Sequence, residues 1–261
     1  MRVHPTAIVE SGAVLGEGVE IGPWCVVSSG ARLGAGVRLS NHVVLEGDVV
    51  VGARTVVHPF AVLGGPPQHL GYKGEPTRLE IGEDCIIREH VTMNRGTAAG
   101  GGLTRVGRKC MFMTGSHVGH DCVVGDENVF ANNASIGGHV TIGSFAFFGA
   151  LCGVHQFCRI GDYVMIGGCA GVTEDVIPYG MAVGNHASLD GLNVVGMKRR
   201  GVSREAIHDV RRAYRRLFND EGVFADRLAA VEQEFSGRPE VRRIVDFIKA
   251  DAKRSVMAPK R

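Results

Sequence analysis

The stretch VHPTAIVESGAVLGEGVEIGPWCVVSSGARLGAGVRL, residues 3–39, carries a repeat of six residues that decides the fold. Bulky aliphatic residues fall at every sixth position, and this series runs unbroken through Val9, Leu15, Ile21, Val27, Leu33, Leu39, Leu45, Val51, Val57 and Leu63. A small residue often stands two positions earlier, as Ala7 does before Val9. Because residues i and i−2 of a strand share a face, both positions point inward. The spacing therefore predicts a parallel β-helix of short strands.

The same repeat organises most of the remaining chain up to Val172. It returns at Ile81, Ile87 and Met93 and then continues through Val106, Phe112, Val118, Val124, Phe130, Ile136, Ile142, Phe148, Val154, Ile160, Ile166 and Val172. This pattern resembles that of the hexapeptide-repeat proteins. The resemblance implies a mainly β fold, a left-handed parallel β-helix with three hexads per coil, in which residues three hexads apart lie above one another.

Two interruptions and a change of pattern define the domain organisation. GGPPQHLGYKGEPTR and NRGTAAGGGLT carry Gly, Pro and charge in place of inward aliphatic residues, which predicts loops near 64–80 and 94–105. A β-helix domain is expected over 1–187 and a helical domain over 188–261. In the latter, Ser203 caps a predicted helix, FADRLAAVEQEF forms a second, and a third begins near Pro239.

Composition excludes several classes of protein. The 29 Lys and Arg residues nearly balance the 27 Asp and Glu residues, which argues against a nucleic-acid partner. No apolar stretch reaches the roughly 18 residues of a membrane span, and no secretion signal is evident. We therefore expect a cytoplasmic protein. Six of the seven cysteines occupy small inward positions, where they fill the core: Cys25, Cys85, Cys110, Cys122, Cys152 and Cys158.

Four of the 11 histidines cluster outside the predicted core, at His117, His120, His139 and His155. The repeat places His120, Gly138 and Gln156 in one column and Asp121 and His139 in the next. A histidine beside a carboxylate, next to a glycine that exposes its N–H, provides a general base and an oxyanion donor. A zinc site of the kind found in trimeric β-helix hydratases is the main alternative, and a chance surface cluster is another.

Outward apolar residues accompany these histidines, namely Met113, Phe145, Phe157, Met165 and Phe147. A monomer would leave this apolar surface in water, so it indicates an interface or a binding groove. We expect a homotrimer with sites between the chains.

At these residues the sequence resembles a specific enzyme family. HVGHDC, ANNASIGGHV, VHQF, GGCAGV, GNHAS and GMKRRG occur in order, and GEPTR, NRGT and GGGLT match in the loops. Together they resemble the bacterial UDP-N-acetylglucosamine O-acyltransferases over essentially the whole chain. The resemblance implies transfer of a (3R)-hydroxyacyl group from the phosphopantetheine of acyl carrier protein to the 3-hydroxyl of UDP-N-acetylglucosamine, the first step of lipid A biosynthesis. It implies no metal and no other cofactor.

The matched motifs imply a role for each site residue. His120 is the general base, Asp121 orients it, and the Gly138 N–H is the oxyanion donor. The other implied roles are substrate binding by Gln68, His117, His139, His155 and Gln156, nucleotide binding by Asn193, Arg199 and Arg200, and acyl-chain contact by Gly168 and His186. Guanidinium groups suit a diphosphate, and the small Gly168 favours a long acyl chain.

Two departures from the family pattern bear on specificity. Gln68-His69-Leu70-Gly71 stands where the family commonly has Gln-Asp-Leu-Lys, and Val195 replaces a glutamate near the nucleotide. A 3-amino sugar acceptor and the later N-acyltransferase of the same pathway remain alternatives, as does a non-catalytic scaffold.

Overall fold

The structure is a computed structural model that describes residues 1–250 and 253–260, so Asp251, Ala252 and Arg261 of the predicted helical domain lie outside the described residues. Most of the chain winds through three sheets in turn, one short strand per sheet. Sheet 1 contains β1 (Arg2–Val3), β4 (Glu20–Ile21), β7 (Arg38–Leu39), β10 (Val56–Val57), β13 (Ile86–Ile87), β16 (Met111–Phe112), β19 (Val129–Phe130), β22 (Phe147–Phe148), β25 (Met165–Ile166), β27 (Gly180–Val183) and β28 (Ser188–Leu192).

The other two sheets complete each coil. Sheet 2 contains β2 (Ile8–Val9), β5 (Val26–Val27), β8 (Val44–Leu45), β11 (Val62–Gly65), β14 (Thr92–Asn94), β17 (His117–Val118), β20 (Ser135–Ile136), β23 (Gly153–Val154) and β26 (Gly171–Val172). Sheet 3 contains β3 (Val14–Leu15), β6 (Arg32–Leu33), β9 (Asp48–Val51), β12 (Arg78–Ile81), β15 (Leu103–Val106), β18 (Val123–Val124), β21 (Thr141–Ile142) and β24 (Arg159–Ile160). The predicted left-handed parallel β-helix is confirmed.

The register of the strands explains the repeat. Neighbouring strands pair in parallel with partners three hexads apart, as in Ile8 with Val26 and Val26 with Val44. Both inward positions of each hexad fill a continuous core, which includes the six predicted cysteines as buried free thiols. The rings of Phe112, Phe130 and Phe148 stack inside it with centroids 4.6 and 4.5 Å apart.

The two interruptions enlarge successive coils. Val56 pairs with Ile86, 30 residues later, and Ile86 pairs with Met111, 25 residues later, whereas a regular coil has 18. The extra residues follow β11 and β14 of sheet 2 and precede strands of sheet 3. Both loops therefore leave the β-helix at the corner between sheets 2 and 3. The second loop contains one short 3₁₀ turn, Ala98–Gly100.

The C-terminal region continues beyond residue 187 as a strand before it becomes helical. β28 pairs antiparallel with β27, and four helices follow: α1 (Val194–Arg199), α2 (Arg204–Phe218), α3 (Phe224–Glu234) and α4 (Pro239–Lys249). The Ser203 hydroxyl accepts the Ala206 N–H at 3.1 Å and caps α2 as the sequence predicts. No helix among the described residues has the length and apolar character that a membrane crossing requires.

Candidate active site

The predicted histidines lie at the corner between sheets 2 and 3, below the two loops. At this corner Asp121, His139 and Phe157 follow one another in successive coils, all in the left-handed backbone region with φ of 58°, 61° and 67°. This conformation turns their side chains outward from the coil. The corner therefore presents a column of polar and aromatic side chains that is fixed by the regular core behind it.

His120 and Asp121 form a hydrogen-bonded pair. The His120 Nδ1 lies 2.8 Å from Asp121 Oδ2, and their side chains are 12% and 1% exposed. Because an ionised carboxylate only accepts hydrogen bonds, Nδ1 carries the proton and Nε2 of the neutral imidazole is free to accept one. This is the arrangement of an oriented general base.

The first loop and a neighbouring histidine enclose this pair. The ring of His69 approaches His120 edge-on with centroids 5.6 Å apart, and the ring of His139 does so at 5.0 Å. His139 also stacks on Phe157 at 4.6 Å. Burial lowers the pKa of His139, and the nearby His120 lowers it further although Asp121 opposes this. A neutral imidazole at this position can both donate and accept a hydrogen bond.

His117 lies on the coil of His120 and faces the same space. Its Nδ1 is 2.7 Å from the hydroxyl oxygen of Thr92, and burial lowers its pKa. A cavity of about 600 Å³ opens between these residues and is lined by Gln68, Asn94, His117, Gly119, His120, Ser135, Ile136, Gly137, Gly138, Gly153, Val154, His155, Gln156, Gly171, Val172 and Thr173. Four of the predicted substrate-site residues, Gln68, His117, His155 and Gln156, thus share one cavity with His120 and Gly138.

Gly138 brings backbone directly against the His120 ring. A Cβ at this position would lie 2.6 Å from His120 Cε1 and 2.7 Å from Nε2, so only glycine leaves room for the imidazole. Among the described residues, the Gly138 N–H donates no hydrogen bond to another protein group. It is therefore available to an oxygen bound in the cavity.

Three of these side chains also meet the geometric requirement of a metal site. Potential ligand atoms of His120, Asp121 and His139 all lie within 4.8 Å of one another. However, His120 Nδ1 and Asp121 Oδ2 already bond to each other, and Thr97 donates to both oxygens of Asp121 at 2.8 and 2.7 Å. A metal that used Nδ1 of His120 would have to displace the bond to Asp121.

Comparison with known proteins identifies the family of this chain. The family described as "Udp N-acetylglucosamine O-acyltransferase; Domain 2" matches residues 175–257, and "Bacterial transferase hexapeptide (six repeats)" matches residues 103–138. The chain is 56% identical over 261 residues to the acyl-[acyl-carrier-protein]–UDP-N-acetylglucosamine O-acyltransferase of Caulobacter vibrioides, covering all of this chain and 99% of that protein. The enzyme of the same name from Agrobacterium fabrum is 48% identical, with 100% and 96% covered. The chain belongs to this acyltransferase family.

Solved structures support the same assignment. A crystal structure of a UDP-N-acetylglucosamine acyltransferase superimposes with a TM-score of 0.96 at 38% identity and covers 100% of both chains. The Acinetobacter baumannii relative superimposes with a TM-score of 0.94 at 39% identity and covers 98% of this chain and 99% of that one. The resemblance inferred from the ordered motifs is confirmed.

The remaining predicted site residues of this acyltransferase lie at the other two corners. Asn193 caps α1, donates through Nδ2 to the Tyr163 carbonyl at 2.8 Å, and lies at the corner between sheets 3 and 1. Arg200 lies at that corner too, because it pairs with Glu127 and stacks over Phe145 at 4.9 Å. The adjacent Arg199 is exposed.

The two residues predicted to contact the acyl chain are exposed elsewhere on the acyltransferase. Gly168 lies between β25 of sheet 1 and β26 of sheet 2, and the segment containing His186 follows β27 and bonds to Gly171 of β26. Within one chain, the residues predicted for catalysis, for nucleotide binding and for acyl-chain contact therefore lie at three different corners of the β-helix.

Two groups of residues at this corner could not be identified from the sequence. Thr97, in the second loop, donates a hydrogen bond to Asp121. The motif NRGT contains this threonine, but nothing in the motif indicates that it contacts Asp121. Near the C-terminus, Arg254 Nη2 lies 2.7 Å from His155 Nδ1, and Lys253 Nζ lies 4.3 Å from the Phe157 ring centre. No local pattern could reveal this second contact, because the residues are 99 apart in sequence.

Proposed function

We propose that this acyltransferase moves a (3R)-hydroxyacyl chain from acyl carrier protein to the 3-hydroxyl of UDP-N-acetylglucosamine, the first step of lipid A biosynthesis. The observation that carries the proposal is the buried His120–Asp121 pair, which opens into a cavity beside the unused Gly138 N–H. The names of the full-length relatives support the donor and the acceptor.

The reaction follows from the orientation of His120. Nε2 removes the proton of the sugar 3-hydroxyl while its oxygen attacks the thioester carbonyl carbon, and Asp121 stabilises the imidazolium that forms. The Gly138 N–H donates to the resulting oxyanion. The C–S bond then breaks, and the leaving phosphopantetheine sulfur takes the proton back from His120. Atoms and charge balance without a metal, so we propose a reaction that needs none.

Substrate recognition uses the polar side chains around the base. The neutral rings of His117 and His139 suit hydroxyl and amide groups of the sugar, because burial lowers the pKa of each. Gln68, His155 and Gln156 line the cavity and supply further donors and acceptors. Gly168 leaves open space, since a Cβ there would meet only the Ala150 carbonyl oxygen, at 3.4 Å, and this favours a long acyl chain.

We further propose a homotrimer. Asn193, Arg199 and Arg200 can bind the nucleotide of a sugar held at His120 only if a neighbouring chain supplies them, because the rigid β-helix holds the two sets at different corners. Exposed Phe147 gives the apolar surface such packing would cover. All seven cysteines are free thiols, which fits a reducing compartment such as the cytoplasm.

The test is an acyl-transfer assay on the purified protein. The protein is incubated with UDP-N-acetylglucosamine or the 3-amino sugar nucleotide as acceptor. Acyl carrier proteins loaded with hydroxyacyl or plain acyl chains serve as donors, and the products are identified by mass spectrometry. We expect transfer to UDP-N-acetylglucosamine, with longer hydroxyacyl chains preferred. Transfer only to the 3-amino sugar would favour the amide-forming alternative. No transfer, together with stoichiometric zinc in the protein, would favour the hydratase alternative.

A substitution at the base makes this test specific. His120→Ala should lower kcat by about 10²- to 10⁴-fold, the usual contribution of a positioned general base, and leave the fold intact by circular dichroism. The matched control is His4→Ala, an exposed histidine near the N-terminus, which should retain full activity. Unchanged turnover in His120→Ala would contradict the assignment of the base.

A further inference from the structure

The second loop holds the carboxylate of Asp121 from a neighbouring coil. Asp121 accepts the Thr97 N–H at Oδ1 over 2.8 Å and the Thr97 hydroxyl at Oδ2 over 2.7 Å. Its only other side-chain hydrogen bond among the described residues is the one from His120. Because this side chain is only 1% exposed, water cannot reach it to replace a lost donor, and an unpaired carboxylate oxygen there would cost free energy. Thr97 therefore supplies two of the three hydrogen bonds that satisfy a buried charge.

The direction of the Thr97 hydroxyl is fixed by a second contact. Its oxygen accepts the Gly100 N–H at 3.0 Å, as the N-cap of the turn Ala98–Gly100. A backbone N–H can only donate, so the single hydroxyl proton remains for Asp121. The turn thus fixes the hydroxyl as a donor toward the carboxylate.

Gly100 makes this approach possible. A Cβ on Gly100 would overlap the carboxylate carbon and both oxygens of Asp121. The turn can therefore come close enough for Thr97 to bond only because this position has no side chain. The backbone N–H of Asp121 is fixed as well, since it donates at 2.8 Å to the hydroxyl of Thr104 on β15.

We infer that Thr97 is a positioning residue for the reaction, which acts by holding Asp121 so that His120 presents Nε2 to the substrate. This inference rests on the proposed role of His120 as the base. Without the hydroxyl, Asp121 Oδ2 keeps only His120, and the carboxylate gains freedom to rotate. The His120 ring, which is held through its Nδ1 bond to Asp121, is then no longer fixed in orientation, while the sugar-binding side chains stay in place.

The first experiment compares Thr97→Val with Thr97→Ser in the acyl-transfer assay. Valine keeps the shape and removes the donor, so we expect kcat to fall about 10- to 100-fold, as for a lost hydrogen bond to a charged group, with KM changed less than about threefold. Serine keeps the donor and should restore kcat to within about threefold. The surface variant Thr141→Val serves as the matched control and should be fully active. Equal kcat for the valine and serine variants would overturn the inference.

The second experiment asks whether Thr97 acts through Asp121. In an Asp121→Ala background, Thr97→Val should cause no further loss, because the carboxylate it positions is absent. A full additional loss would mean that Thr97 acts by another route, and the inference would be wrong. If Thr97→Val does not fold, as judged by its melting temperature, Thr97→Ala is put through the same cycle.

These outcomes separate the inference from the proposed function. If Asp121→Ala and His120→Ala both keep wild-type kcat, the proposed base is wrong and the inference is wrong with it. If both lose activity while Thr97→Val keeps wild-type kcat, the base stands and only the role of Thr97 is refuted.

Discussion

Gly138→Ala is a direct test of how tightly the backbone encloses the proposed base. The new Cβ would lie 2.6 Å from His120 Cε1, whereas ordinary van der Waals contact begins near 3.4 Å. The imidazole would have to move by the difference, about 0.8 Å. It cannot do so freely, because its Nδ1 is bonded to Asp121 at 2.8 Å and Thr97 holds that carboxylate in turn.

A displacement of this size has a large expected effect on the rate. Misplacing a reacting group by about 1 Å can cost about 100-fold, so we expect kcat to fall by about that factor. This corresponds to about 2.7 kcal/mol of transition-state stabilisation, at roughly 1.36 kcal/mol per tenfold. The substitution adds no backbone strain, because Gly138 lies outside the left-handed region, so a loss of stability can come only from the displaced imidazole.

The assay measures kcat, KM and melting temperature for Gly138→Ala and for Gly237→Ala. Gly237 is a matched control, since a Cβ there meets no atom within 4 Å, and it should behave as wild type. A folded Gly138→Ala enzyme with kcat within about threefold of wild type would refute the reasoning. It would mean that the His120 ring is not held where the structure puts it.

Three further predictions concern the acyl chain, pH and the core. Gly168→Met fills open space at an exposed corner and should shift the preference among acyl donors toward shorter chains. The measurement is a competition between donors of different chain length, read by mass spectrometry, and an unchanged chain-length profile would contradict a role of Gly168 in chain-length selection. Burial lowers the pKa of His117, so the unfolded chain protonates first and the free energy of unfolding should fall as pH drops through about 6.5. His117→Gln should make that fall shallower in urea titrations at pH 7.5 and 5.5, and an identical slope would contradict it. Phe130→Ala, in the middle of the stacked core phenylalanines, should cost about 3–5 kcal/mol of unfolding free energy, whereas a loss below about 1 kcal/mol would mean that the ring column is not close-packed.

The sequence alone determined the fold and the chemistry of the cluster, because both follow from a short repeat. An inward position recurs every six residues, so counting was enough to place Cys122 in the core and to direct the adjacent Asp121 away from it. The same count put His120, Gly138 and Gln156 in one column. These relations are local within each coil and repeat identically from coil to coil.

The tertiary structure decided what surrounds that column. The two loops break the count, so only the strand register shows that both leave at the corner of His120 and that Thr97 reaches Asp121 across 24 residues. The contact between Arg254 and His155 arises because the chain returns after the helices and pairs near Asp175. The separation of Arg200 from His120 was equally hidden from the sequence, since the direction in which a chain folds back over a β-helix depends on distant packing, which no repeat encodes.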